Sequence, residues 1–313
     1  MGTIAYMYTI DACPCCLSKD LCAKAAIVAP FLARYAVGRS PFLCKLQECS
    51  ACSFRFFDVR LEPYEVDRLY SGYRGERYFT ERRRSEFWYH RKVNDGIGGD
   101  PQEIAHRLSA LERIVRPHVD VANLQTVLDY GGDRGQFIPK SFGTDKYVFE
   151  LSDAVPEPGI TRIGSELEMN RMKFDFIMIL GVLEHCSEPE SVLMQLRSCL
   201  KHGAVLCVGV PYERYGVGLA GKGRLYRSYL NALLHLPPAL IAVDFYSAVA
   251  RIRFNNIPPL GLIKCHEHLN LFNDHSMHAL LERIGFEIVD SRIEDIAKYP
   301  ARSKQLHVLA RLR

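Results

Sequence analysis

At 313 residues the chain is long enough for one large or two moderate domains, and 48% hydrophobic with 24% charged residues is the composition of an ordinary soluble globular protein. A formal net charge of +4 is too mild to demand nucleic acid as a partner. The first residues carry no basic-plus-apolar signal, so a cytoplasmic chain is expected.

Seven of the eleven cysteines precede residue 53. Cys13-Pro-Cys15-Cys16 and Cys49-Ser-Ala-Cys52 make two Cys-x-x-Cys knuckles, each able to present two thiolates to one ion. In a reducing compartment such spacing favours a structural zinc tetrahedron over disulfides. The expected ligands are Cys13, Cys16, Cys49 and Cys52, with Cys15, Cys22 and Cys44 as substitutes and scattered buried thiols as the plain alternative. Residues 1–60 thus read as a cysteine-rich zinc-binding module, too small in core to fold without help.

Residues 61–118 read as a helical, substrate-contacting linker. Tyr70, Tyr73, Arg74, Arg77, Tyr78 and Phe79 precede Arg82-Arg83-Arg84 and Phe87-Trp88-Tyr89-His90. A solvated helix face explains the charges but not the aromatics. Tyr and Trp beside Arg suit stacking on sugar rings or bases while planar guanidinium forks hold phosphates.

From residue 119 to 313 the signals follow the order of a doubly wound sheet. Val127 to Asp129 is an apolar strand opening into a loop with Gly131, Gly132 and Gly135, where a ligand can approach backbone N–H groups. Lys146 to Leu151 is a second strand, and Glu150 follows Asp129 by roughly the 20-residue separation that delivers a carboxylate to a ribose. Phe174 to Leu180 is a buried parallel strand leading into Gly181-Val182-Leu183-Glu184-His185. Val192, Leu193, Leu196 and Leu200 mark a helix closed by His202-Gly203, and Ala204 to Val210 is a further strand stopped by Pro211.

Residues 212–264 form an insertion. Gly216, Gly218, Gly221 and Gly223 loosen its start, and Leu230 to Arg251 is helical apart from Pro237-Pro238. With His235 and Asp244 it is too broken and polar to span a membrane. A cap over an acceptor pocket is expected; contact with a membrane surface through Lys222, Arg224, Arg227, Arg251 and Arg253 is the alternative. Cys265-His266-Glu267-His268-Leu269-Asn270-Leu271-Phe272 then enters a helix marked by Met277, Leu280, Leu281 and Ile284.

Over roughly residues 120–290 these motifs together resemble the class I S-adenosylmethionine-dependent methyltransferases. The resemblance rests on the Asp-x-Gly loop, Glu150, the Phe-Asp-Phe-Ile-Met-Ile-Leu-Gly-Val-Leu-Glu-His segment, the Leu-x-x-Gly-Ala-x-Leu strand and Gly285-Phe286-Glu287. It implies an α/β, Rossmann-like, mostly parallel sheet and S-adenosylmethionine as cofactor. Asp129, Gly131, Gly132, Asp133 and Gly135 would line its methionine end, Glu150 its ribose, and Leu180, Gly181 and Val182 its adenosine or the acceptor. One departure stands out: the family loop usually reads Gly-x-Gly-x-Gly, and Asp133 holds the middle glycine position, where it crowds the cofactor or hydrogen-bonds its ammonium. A nicotinamide dehydrogenase competes for any glycine loop, but Gly181 to His185 matches no dehydrogenase motif.

The double knuckle ahead of such a domain is similar to enzymes that methylate sugars and glycan precursors, and to some ribosomal-RNA methyltransferases. The fourth strand lacks the Asn- or Asp-Pro-Pro-aromatic motif of base-amino methylation, and His266-Glu267-His268 resembles the His-Glu-His-x-x-aromatic stretch of sugar methyltransferases. The resemblance implies catalytic roles for His268 and Glu267, with His185 as second candidate base and Tyr73 beside them. The expected acceptor is a small molecule or a lipid- or nucleotide-linked sugar. An RNA methyltransferase and a non-catalytic S-adenosylmethionine-binding interaction protein are the alternatives.

Overall fold

The computed structural model describes residues 7–96, 98–295 and 304–312. Two compact units emerge, one built from residues 1–13, 18–97 and 213–271, the other from 14–17, 98–212 and 272–313.

The second unit is a seven-stranded sheet. Its strands are Thr126–Tyr130 (β1), Asp145–Phe149 (β2), Ile160–Ile163 (β3), Phe174–Leu180 (β4), Leu200–Pro211 (β5), Phe286–Asp295 (β6) and Lys304–Leu312 (β7). In space they run β6-β7-β5-β4-β1-β2-β3. Pairs from β5 through β3 are parallel, while β7 lies antiparallel between β5 and β6. The run Phe176, Ile177, Met178 and Ile179 is fully buried, because a central parallel strand is covered on both faces. The strand order reverses between β1 and β4, and in such sheets ligands bind beyond the carboxyl ends at that switch point.

Two details differ from the sequence pattern. The helix before β5 is Pro189–Cys199, and His202-Gly203 lies inside β5 rather than closing the helix. Gly203 takes φ +72°, and the β5 register shifts between Leu200 and Val205, so the glycine makes an irregularity in the strand. Glu150 is the residue that follows β2.

The first unit holds a five-stranded sheet ordered Lys264–Cys265, Leu21–Val28, Leu43–Cys49, Arg55–Phe57, Asn270–Leu271. Its flanking strands therefore come from residues far along the chain. Phe31, Leu32, Phe57, Leu69 and Tyr78 sit in its core. Two helices, Gly223–Leu234 (α1) and Pro237–Phe254 (α2), belong to the same unit. Pro237 and Pro238 occupy the first turn of α2, where no backbone N–H is missed, so they divide two helices instead of breaking one.

Candidate functional site

In the second unit the glycine loop is fixed by close approach. A Cβ on Gly131, whose φ is +69°, would lie 2.5 Å from Val182 Cγ2, so the loops after β1 and β4 touch there. A Cβ on Gly132 would lie 2.2 Å from the Asp129 carboxyl. Gly135 and Gly181 also take left-handed φ, +77° and +73°.

Asp133 adopts φ +54°, a region that costs an L-residue about 1–2 kcal/mol and that Asp tolerates better than most. Hydrogen bonds hold it there: its N–H donates to Glu150 Oε2 at 3.0 Å, and its carboxylate accepts from Gln136 Nε2 at 3.0 Å. Glu150 also accepts from the Ser152 N–H at 2.9 Å. Asp129 is 1% exposed, and neither carboxylate oxygen has a hydrogen-bond partner among the described residues. Burial, with Glu150 and Asp133 adding like charge, pushes its pKa up to about 8. The crevice therefore presents one buried, unsatisfied carboxyl and two further carboxylates. That set of acceptors suits a ligand carrying both a cation and hydroxyls.

In the first unit a cavity of about 240 Å³ is lined by Arg82, Glu86, Trp88, Asp244, Lys264, His266, Glu267 and His268, among others. Charges alternate around its wall. Lys264 Nζ donates to Glu86 Oε1 at 2.8 Å and to Asp244 Oδ2 at 2.9 Å, while Arg82 Nε donates to Glu86 Oε2 at 3.0 Å. Arg82 Nη1 donates to Tyr78 Oη at 2.7 Å, and Tyr78 Oη donates to Glu267. Glu267 is thus a buried acceptor clamped between Tyr78 and Arg82. His266 Nε2 lies 3.2 Å from Glu86 Oε1, and its ring stacks on Phe31. His268, half-buried, sets Nδ1 3.3 Å from Glu213 Oε1.

Tyr73 packs edge-on to Tyr78 and accepts from Arg74 Nη2 at 3.4 Å; burial and then Glu267 push its hydroxyl up to about 12. The first unit therefore gathers Tyr73, Glu267 and His268, whereas His185 belongs to the second, its Nε2 3.9 Å from Glu184 Oε1. Glu213, Glu86, Asp244 and Lys264 carry no motif that marks them in the sequence; only the spacing of Glu86 four residues after Arg82 hints at a pair.

Burial alone would raise Glu86, but Lys264, His266 and Arg82 outweigh it and hold the carboxyl well below its usual 4.5. A depressed carboxyl contributes stability that is complete above pH 4.5 and is lost as pH falls through the folded-state value. Glu86→Ala is expected to cost about 3 kcal/mol in urea denaturation at pH 7, since it removes the buried carboxylate shared by Lys264 and Arg82, each of which keeps another partner. The gap from wild type should narrow below pH 4.5; an unchanged gap in acid would contradict the assignment.

The cysteines fall into distinct sets. The sulfurs of Cys13, Cys16, Cys49 and Cys52 all lie within 4.8 Å of one another, and Cys13 Sγ is 3.6 Å from Cys52 Sγ. Each knuckle is followed by a left-handed residue, Leu17 at φ +63° and Ser53 at φ +56°, and the Ser53 N–H donates back to the Cys49 carbonyl. Cys15, Cys22 and Cys44 stand outside this cluster. Burial pushes the Cys44 thiol up, as expected of a protonated core residue.

The family model described as "Methyltransferase domain" matches residues 87–291. No curated protein matches the sequence. Solved structures similar to this chain include a 1,6-didemethyltoxoflavin-N1-methyltransferase of Burkholderia thailandensis, 15% identical, covering 71% of this chain and 84% of that one at a TM-score of 0.42. An S-adenosylmethionine-dependent methyltransferase of Mesorhizobium loti is 15% identical, covering 66% and 97% at 0.40. The magnesium protoporphyrin IX methyltransferase of Synechocystis PCC 6803 is 13% identical, covering 67% and 84% at 0.37.

Proposed function

This chain belongs to the methyltransferase-domain family, with the class I fold and S-adenosylmethionine dependence of that family, and from that premise we propose that it methylates a hydroxyl oxygen or carbon of a sugar-type acceptor. The residues of the second unit fit the cofactor. Asp129 is a buried carboxyl lacking a partner among the described residues, suited to the methionine ammonium; Gly132 leaves no room for a side chain over it; Glu150 suits the ribose hydroxyls. Leu180, Gly181 and Val182 would border the adenosine. When bound, S-adenosylmethionine supplies an electrophilic sulfonium methyl.

The observation that carries the acceptor reading is the His268–Glu213 pair at the wall of a cavity rich in both signs of charge. Glu213 accepting from Nδ1 fixes the tautomer in which Nε2 takes a proton, which is what a hydroxyl requires before it attacks a methyl. Glu267, held by Tyr78 and Arg82, acts in this reading as a positioning residue. Trp88 offers an aromatic face for a sugar ring, and the alternating carboxylates and cations suit its hydroxyls. A four-thiolate zinc centre at Cys13, Cys16, Cys49 and Cys52 is part of the same reading.

Calorimetry with S-adenosylmethionine and methyl-transfer assays on nucleotide-linked sugars and RNA test it. His268→Ala should keep cofactor affinity and lower kcat roughly a hundredfold. Glu150→Ala should weaken cofactor binding about tenfold, through loss of hydrogen bonds to an ionised group. Turnover on RNA alone, or a His268→Ala enzyme with unchanged kcat, overturns the acceptor assignment.

A further inference from the structure

The outward face of α2 is apolar where a soluble protein's helix is usually polar. Leu240, Asp244, Ser247 and Ala250 are its buried stripe, at helical spacing. On the opposite side Phe245, Tyr246, Val249 and Ile252 are 39%, 48%, 44% and 54% exposed. A helix that is apolar all round is ordinarily covered on all sides. This one leaves that face exposed, and Leu225 of the neighbouring α1 is 89% exposed as well.

The surrounding charge identifies what covers it. Residues 214–264 contain seven Lys and Arg but a single acidic residue, Asp244; Lys264 is buried against it, which leaves six cations. Asp244 is 2% exposed and bonded to Lys264, so it contributes no outward negative charge. Arg224 and Arg227 are exposed on α1. Among the described residues no helix is long and apolar enough to cross a membrane. An exposed apolar stripe flanked by cations, on helices that do not span, has the make-up of an element lying in the interfacial plane of a bilayer.

We propose that the α1–α2 face docks on a bilayer surface containing anionic lipids. A second copy of the chain is the poorer occupant, because a two-fold contact would set this cationic patch against itself. RNA would use the arginines and the aromatic rings, but Val249 and Leu225, the latter 89% exposed, are aliphatic and give bases nothing to stack on. The inference is independent of the acceptor chemistry.

Sedimentation of the full chain with phosphatidylcholine vesicles, with and without phosphatidylglycerol, tests it. Binding is expected only with phosphatidylglycerol and should weaken with salt. Tyr246→Glu/Val249→Glu should lower partitioning roughly tenfold or more by placing charge in the apolar stripe. Arg224→Glu/Arg227→Glu should do the same through lost attraction, at about fivefold per cation. Both variants should retain wild-type affinity for S-adenosylmethionine, which reports that they fold. Absence of phosphatidylglycerol-dependent binding, equal partitioning of wild type and both variants, or a vesicle-free dimer dispersed by the same substitutions would each overturn the proposal.

Discussion

Cys49→Ser is expected to release one equivalent of zinc and to lower the melting temperature, whereas Cys22→Ser leaves both unchanged. A tetrahedron with metal–sulfur arms of 2.3 Å has edges of about 3.8 Å. The Cys13–Cys52 separation of 3.6 Å is close to that edge, and the four sulfurs lie within 4.8 Å of one another. Both knuckles end on a residue with positive φ, and Leu17 pays for that conformation without the hydrogen-bonding side chain that helps Asn or Asp. Strain repeated at equivalent positions persists only where the surroundings enforce it, and a shared ion is such a constraint. Cys13, Cys49 and Cys52 are buried, so thiolates gathered there without a cation would carry a heavy desolvation cost. Structural zinc in small modules contributes on the order of 10 kcal/mol to folding. Cys13, Cys49 and Cys52 belong to a unit with an apolar core of its own, so the loss here should be several kcal/mol rather than complete unfolding. Elemental analysis with calorimetric melting, repeated after chelation, checks this; a Cys49→Ser chain that keeps its zinc and its melting temperature would refute the four-cysteine site.

Asp129→Asn should move stability and cofactor binding in opposite directions. In the folded chain the Asp129 carboxyl is pushed up to about 8 from 3.8, so its ionisation opposes folding. The sign follows from the raised value: the cost is absent below pH 3.8, grows between 3.8 and about 8, and is constant above. Each unit in that window corresponds to about 1.4 kcal/mol. The Asn variant should therefore match wild type near pH 4 and gain on the order of a few kcal/mol in denaturant titrations at pH 8. Affinity for S-adenosylmethionine should fall roughly a hundredfold, because the buried carboxylate proposed to meet the ammonium is gone. Gly132→Ala separates charge from shape. Its Cβ would come within 2.2 Å of the Asp129 carboxyl, closer than real Cβ contacts allow, so the loop or the carboxylate must move. It should weaken cofactor binding with no gain in stability at pH 8. An Asn variant that binds the cofactor as wild type does would remove Asp129 from the site.

Much of the second unit was legible because its signals are local. A fully apolar run such as Phe176 to Ile179 reads as a buried parallel strand, and glycines at 131, 132 and 135 announce a backbone that bends where side chains do not fit. The cysteine spacing named the four sulfurs that come together, since a Cys-x-x-Cys turn places its two thiols by itself. The helix closing at Cys199 rather than at Gly203 was not legible, because a left-handed glycine serves a helix end and a strand irregularity equally well.

The cavity was the opposite case. His266-Glu267-His268 drew attention as three ionisable residues in a row, yet the sequence does not reveal that Glu267 is tied to Tyr78, that His268 faces Glu213, or that Glu86 and Asp244 share Lys264. These partners are separated by 189, 178 and 20 positions for the Tyr78, Glu86 and Asp244 bonds. The sequence by itself determined the strand order's ingredients, the glycine loop and the two cysteine pairs, because each depends on residues within one turn or one βα unit. The tertiary structure alone decided which carboxylates are ionised, clamped or orphaned. Those properties depend on burial and on charges brought within a few ångströms by packing, and no local pattern encodes them.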